Sequence, residues 1–241
     1  DASTFHARHR DPGIWRRLGV EENKVKVLYV GRVSVEKNMP FLVGVWKSVR
    51  KRLKETGVRA ELIVVGDGPF REKMSEQLRG KDATFLGFRH GEELSAIYAS
   101  SHLFVFPSTT DTLGQVVMES QGSGLPVLVT DKGGPKEVVE HGRTGFVLDA
   151  EDAETWVEHL ATLITDHARR ADMGVAALES MQRYSLEHSF EHFWDVHTEA
   201  WHEHLRRVGI TPETAGIADP LSDRPARAAL ADPTAPIETA G

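Results

Sequence analysis

Short apolar runs recur along the chain with helical patterns between them. Val25–Val30, Glu61–Val65, Ala83–Phe88, Leu103–Phe106, Val127–Thr130 and Gly145–Leu148 are rich in β-branched and aromatic residues, which predicts six strands. Between the first two, Phe41, Leu42, Val45, Trp46, Val49 and Leu53 return at spacings of three and four, with Asn38 placed as N-cap and Pro40 in the first turn. That spacing predicts an amphipathic helix. Strands apolar along their whole length, separated by helices, imply βαβ units and a parallel sheet covered on both faces. The expected fold class is α/β, a parallel sheet of about six strands with helices on both faces.

Beyond Asp149, Thr155–Ile164, Ala171–Met181 and Ser185–Arg206 read as helices. Residues 211–241 hold five of the eleven prolines with many Ala, Thr and Asp, too few large apolar groups to offset ordering entropy, so a disordered tail is expected. The expected organisation is a linker over 1–24, one domain over 25–209 and the Pro/Ala-rich tail over 210–241. The chain opens Asp1-Ala-Ser-Thr-Phe5, and it is read as part of a longer protein.

Composition narrows the function. The 241 residues are 40% apolar, enough to bury a shared core. Twenty-nine Lys and Arg against thirty-six Asp and Glu leave a net charge of −7, so no overall positive field exists to hold nucleic acid, although a local basic patch could bind a phosphate. No apolar run reaches the roughly 18 residues of a membrane span, and no secretion signal is visible. A cytoplasmic protein is expected, with peripheral membrane contact as a lesser alternative. The absence of cysteine excludes disulfides and thiolate chemistry.

The unusual residues gather where strands end. Gly31-Arg32-Val33-Ser34 follows the first strand, Gly66-Asp67-Gly68-Pro69 the second, Pro107-Ser108-Thr109-Thr110-Asp111 the fourth and Asp131-Lys132-Gly133-Gly134-Pro135 the fifth. In an open parallel sheet these ends share one edge, and ligands bind in the crevice there. Any single loop needs glycine for its own turn; four on one edge point to a nucleotide pocket. The first turn lacks both the three-glycine dinucleotide fingerprint and the Gly-x-x-x-x-Gly-Lys loop, which disfavours dehydrogenases and P-loop NTPases. It offers Arg32 and Lys37 instead, two cations suited to a pyrophosphate, or else two solvated surface charges.

Asp111 and Glu119 lie eight residues apart around a helix start near Leu113 and Gly114. Eight residues of helix rise about 12 Å, so the two acids are expected to grip groups separated by the length of a diphosphate, with free helix amides between them. Glu119 sits among Val116, Val117 and Met118, where a carboxylate is explained by sugar hydroxyls to bind, or by a helix edge facing water.

These residues, with Lys37-Asn38, Phe85-Leu86-Gly87-Phe88, Phe106-Pro107-Ser108, Gly124-Leu125-Pro126-Val127, Gly133-Gly134 and Gly142-Arg143-Thr144-Gly145-Phe146, fall in an order that resembles the retaining glycosyltransferases of family 4, over about Phe5–Leu205. The resemblance implies a Rossmann-like donor-binding domain, the C-terminal half of a GT-B enzyme. It implies that Arg32, Lys37 and Asp111 are catalytic, the cations on the donor diphosphate and the acid towards the donor sugar. It implies donor contacts at Gly31, Gly66, Asp67, Phe88, Leu113 and Gly114, with Glu119 on the ribose. Relatives carry Glu where Asp111 stands, so the sugar contact here is shortened. No metal or other cofactor is implied, and the expected partners are a nucleotide-sugar donor and an acceptor-binding N-terminal domain not included in this chain. Donor binding with little turnover is expected of this part alone. Ser185–Arg206 is similar to the C-terminal helical segment that returns to the other domain, which would leave Phe190, Phe193, Trp194 and Trp201 under-buried. A nucleotide-sugar-binding regulatory domain and a nucleotide-sugar epimerase stay open beside this reading.

Two features are set aside. His188 and His192 have a zinc-compatible spacing but no third ligand at a motif spacing. Lys47, Arg50, Lys51, Arg52 and Lys54 read as a solvated face, with contact to anionic lipid as the alternative.

Overall fold

The computed structural model describes residues 4–210, and the tail expected to be disordered lies outside them. The chain divides into two compact units, Asp1–Gln182 and Arg183–Gly241.

In the first unit, β1 (Val25–Val30), β2 (Ala60–Val65), β3 (Ala83–Gly87), β4 (Leu103–Phe106), β5 (Val127–Thr130) and β6 (Gly145–Leu148) form one sheet in the order β3-β2-β1-β4-β5-β6. Every neighbouring pair is parallel. Its helices are α1 (Ile14–Arg17), α2 (Met39–Leu53), α3 (Arg71–Gln77), α4 (Gly91–Ser100), α5 (Gln115–Gly122), α6 (Ala153–Thr165) and α7 (His167–Ser180). This is the Rossmann-like arrangement expected. β1 pairs with β2 along its whole length, from Val25 on Ala60 to Val30 on Val65, but with β4 only through Val27 on Leu103 and Leu28 on Phe104. Pairing therefore stops before the carboxyl end of β1, at the point where the strand order reverses and a crevice opens.

The core follows from the pattern. Val27, Leu28, Tyr29, Leu62, Ile63, Val64 and all of β4 and β5 are buried because helices cover both faces. α2 lays Leu42, Val45, Trp46, Val49 and Leu53 on the sheet, and Trp46 Nε1 donates to the Lys81 carbonyl at 2.9 Å, satisfying the polar atom that its burial would otherwise orphan. Asn38 holds the N-cap position of α2 but not by the expected bond: its backbone is left-handed at φ 58° and its side chain makes no capping hydrogen bond. β3 ends one residue earlier than expected, at Gly87 with φ 68°, which turns Phe88 out of the strand.

At the amino edge of the sheet, buried charges fasten the strand starts. Lys24 Nζ reaches Asp82 and Glu21 at 2.8 Å and Glu61 at 3.3 Å. Burial opposes its charge, but the hydrogen bonds to Asp82 and Glu21 outweigh that and raise its pKa. Lys26 is fully buried and gives its ammonium to the carbonyls of Glu21, Glu22 and Lys24. On α2, Arg50 pairs with Asp82, so only Lys47, Lys51, Arg52 and Lys54 of the basic stretch are exposed.

The second unit carries α8 (Leu186–Val208), capped by the Ser185 hydroxyl on the His188 amide at 3.2 Å and closed by left-handed Gly209. Phe190 and Phe193 are exposed as expected, whereas Trp194 and Trp201 are half-buried. Among the described residues no helix is long and apolar enough to cross a membrane, and no three His, Asp or Glu side chains converge as a metal site.

Candidate functional site

The loops after β1, β2 and β3 are stitched by main-chain bonds. Gly31 N donates to Val65 O at 3.0 Å, Val33 N to Asp67 O at 2.9 Å, Phe70 N to Val33 O at 3.0 Å and Gly66 N to Gly87 O at 2.8 Å. Gly66, at φ 123°, lies so close to the Gly31 carbonyl that a Cβ there would overlap it. A second clamp holds the loop before α5: Gly134 N donates to Asp111 O at 2.9 Å, and a Cβ on Gly134 would overlap the Thr112 carbonyl. Gly133 and Gly134, expected at one of the strand-end loops of the pocket, thus act by fixing the Asp111–Gly114 backbone.

Two cavities open along this carboxyl edge. The larger, about 600 Å³, is lined by Gly31, Arg32, Gly66, Asp67, Phe88 and Arg89 among others. The smaller, about 160 Å³, lies at the β1/β4 crevice against Lys37, Asp111, Gly114 and Gln115, with Tyr29 and Phe106 also lining it. Val30, Gly31 and Arg32 belong to both, so the cavities adjoin. Phe88 is 64% exposed and stacks on His90 with ring centroids 6.3 Å apart.

Within the smaller cavity, Lys37 Nζ is 2.9 Å from Asp111 Oδ2 and 3.5 Å from Thr110 Oγ1. The two cations expected to flank a pyrophosphate therefore differ: Lys37 is held by an acid in a partly buried pair, whereas Arg32 is exposed and reaches Glu36 at 3.8 Å. Tyr29 stacks on Phe106 and donates its hydroxyl to Arg32 O at 2.8 Å, supporting the loop from beneath. Burial, with Asp111 and Glu36 nearby, raises that phenol and keeps it a donor.

The interval from Asp111 to Glu119 is not one helix. α5 begins at Gln115, Gly114 is its left-handed N-cap at φ 68°, and Leu113 is an exposed loop residue, so the 12 Å helical rise does not apply. The first N–H groups of α5, from Gln115 and Val116, have no acceptor within the helix and belong to residues that line the smaller cavity. Glu119 lines neither cavity. It is half-buried in the second turn of α5 and accepts the Tyr98 hydroxyl at 3.0 Å. Burial raises its pKa, and the bonds from Tyr98 and Gln115 only partly offset this.

The structure therefore brings Gly31, Arg32, Gly66, Asp67 and Phe88 to one cavity and Arg32, Lys37, Asp111 and Gly114 to the adjoining one, and leaves Leu113 and Glu119 outside both linings. Sequence reasoning missed Tyr29, Arg89 and Tyr98. A tyrosine inside the valine-rich first strand was the available signal for Tyr29; Tyr98 reaches Glu119 across 21 residues and left none.

The family described as Glycosyl transferases group 1 matches residues 24–166. The chain is 38% identical over 188 residues to the sulfoquinovosyl transferase SQD2 of Arabidopsis thaliana, covering 76% of this chain and 35% of the relative. It is 32% identical over 200 residues to a GDP-mannose-dependent alpha-mannosyltransferase of Corynebacterium glutamicum, covering 81% and 46%. The chain thus spans between a third and a half of these relatives. Among solved structures, Anabaena HepE in complex with UDP and glucose superposes with a TM-score of 0.66 at 23% identity, over 81% of this chain and 55% of that one.

Proposed function

The chain belongs to the glycosyl transferases group 1 family, and from that premise we propose that it is the donor-binding part of a retaining enzyme that moves a hexose from a nucleoside diphosphate sugar to an acceptor hydroxyl. The observation that carries this reading is the pair of adjoining cavities, which share Val30, Gly31 and Arg32 along the carboxyl edge at the strand-order reversal. A relative that depends on GDP-mannose and a neighbour holding UDP and glucose support it.

In this reading the base occupies the larger cavity beside Gly66, Asp67 and Phe88, and the ribose lies on the side of Glu119. The diphosphate crosses Gly31 and Arg32 to Lys37 and the N-terminus of α5, and the sugar lies by Asp111 and Leu113. When the bond between the anomeric carbon and the phosphate oxygen breaks, negative charge grows on the departing diphosphate. Lys37, Arg32 and the free amides of α5 meet it, so no bound metal is called for. Asp111 keeps the Lys37 ammonium in place before the donor arrives and then faces a sugar hydroxyl. The acceptor is positioned by the part of the enzyme beyond this chain.

Calorimetric titration of the chain with UDP, GDP, ADP and their hexose conjugates tests the reading. One base is expected to bind in preference to the others; no binding by any nucleoside diphosphate would sink it.

A further inference from the structure

A cavity of about 260 Å³ opens on the opposite, amino-terminal side of the sheet, where the N-terminal segment, the residues before β4, the α5–β5 turn and the first turn of α7 meet. Its polar side chains are Arg10, Ser101, His102, Ser123, His167 and Arg170, and no carboxylate lines it. Four basic groups from three stretches of chain thus converge with no acid among the lining residues.

The site is built rather than incidental. Arg170 is only 8% exposed, and its Nη1 donates to Leu163 O at 2.6 Å and Ile164 O at 3.0 Å, which fixes the guanidinium at the end of α6. His102 Nδ1 accepts the Lys26 amide at 3.0 Å, so the neutral ring carries its proton on Nε2 and is a donor without being charged. Arg10 and His167 form no ion pair among the described residues. Nearby, the Lys26 ammonium is committed to three carbonyls, and Asp166, which accepts the Arg169 amide at 2.9 Å, supports the Arg170 charge against its burial. Burial first, and then the positive charges of Arg170, Lys26, Arg10 and His167, hold the His102 pKa down to about 4.

We propose that this cavity binds a phosphate group, as free phosphate or a small phosphomonoester, through Arg10, His102, His167 and Arg170, at a site separate from the donor cavities. Guanidinium forks and a fixed imidazole donor match tetrahedral oxyanion acceptors, and charge-assisted bonds of this kind are the strong ones.

Calorimetry at fixed ionic strength, with inorganic phosphate and with glycerol 3-phosphate, tests this. In the double variant Arg10→Gln, His167→Gln, both residues being exposed, the melting temperature without phosphate should hold while affinity falls about tenfold or more. Affinity should be unchanged in Lys37→Gln, which alters the donor side. The tighter of the two probes identifies the source of the phosphate group. The proposal is overturned if the wild-type chain fails to bind either probe at millimolar concentration, if the double variant binds as the wild type does, or if binding is lost in Lys37→Gln.

Discussion

Lys37 and Asp111 are a single electrostatic unit 74 residues apart in sequence, and that couples their variants. Lys37→Gln removes a cation from the donor phosphates and also leaves the Asp111 carboxylate facing them unpaired. It should weaken nucleoside diphosphate binding by about 1.5–3 kcal/mol, against less than about 1 kcal/mol for exposed Arg32→Gln. Adding Asp111→Asn to Lys37→Gln should restore part of the loss for the bare diphosphate, a coupling that a double-mutant cycle by calorimetry reads directly. Strict additivity would mean that the acid and the base act separately. Glu119→Gln keeps an oxygen for Tyr98 but gives up a charged acceptor; a loss of about 1–3 kcal/mol, equal with and without the sugar, is expected if it holds the ribose. The candidate residues were legible because glycines and charges crowd the ends of predicted strands. The pairs Lys37–Asp111 and Tyr98–Glu119 were not, because periodicity encodes neighbours along the chain and these contacts are made across the fold.

Strands were legible almost to the residue, since β1, β4, β5 and β6 begin and end where their apolar runs do, whereas α7 begins four residues before the expected Ala171, at His167 behind its Asp166 cap. The start of α5 was misjudged for a physical reason. Gly114 has to be left-handed against Pro135, so the chain turns there before the helix can begin. Glycines in different elements should accordingly respond in opposite ways. Gly44 sits exposed on α2 with nothing within 4 Å of an added Cβ, so Gly44→Ala should stabilise the fold by about 0.5–1 kcal/mol. Gly66→Ala meets the Gly31 carbonyl at a positive φ and should destabilise by about 1–3 kcal/mol while depressing donor affinity. Urea melts of the two variants check both signs, and a stable Gly66→Ala would show that the stitched loops can part.

For the molecule as a whole, His102 sets an acid limit. Its native pKa of about 4 lies below the unfolded value, so the unfolded chain takes up the proton first. The stability this contributes is complete above pH ~6.5 and is lost as pH falls towards 4, at up to about 1.4 kcal/mol per unit. In phosphate-free buffer, His102→Gln should flatten the melting-temperature curve across that window relative to the unsubstituted chain. An unchanged slope would place the acid sensitivity in other groups.

On the proposed function, the stitching of the loops sets where donor preference can change. Backbone-on-backbone contacts at Gly66, Gly68 and Gly134 form a socket that tolerates no side chain, whereas Phe88 and Leu113 stand exposed on its rim with room to vary. Segments such as Phe88–His90 or Thr112–Leu113 can then be exchanged as cassettes between relatives that use different sugars. A randomised library selected for a new donor should collect its changes on that rim and return the three glycines untouched.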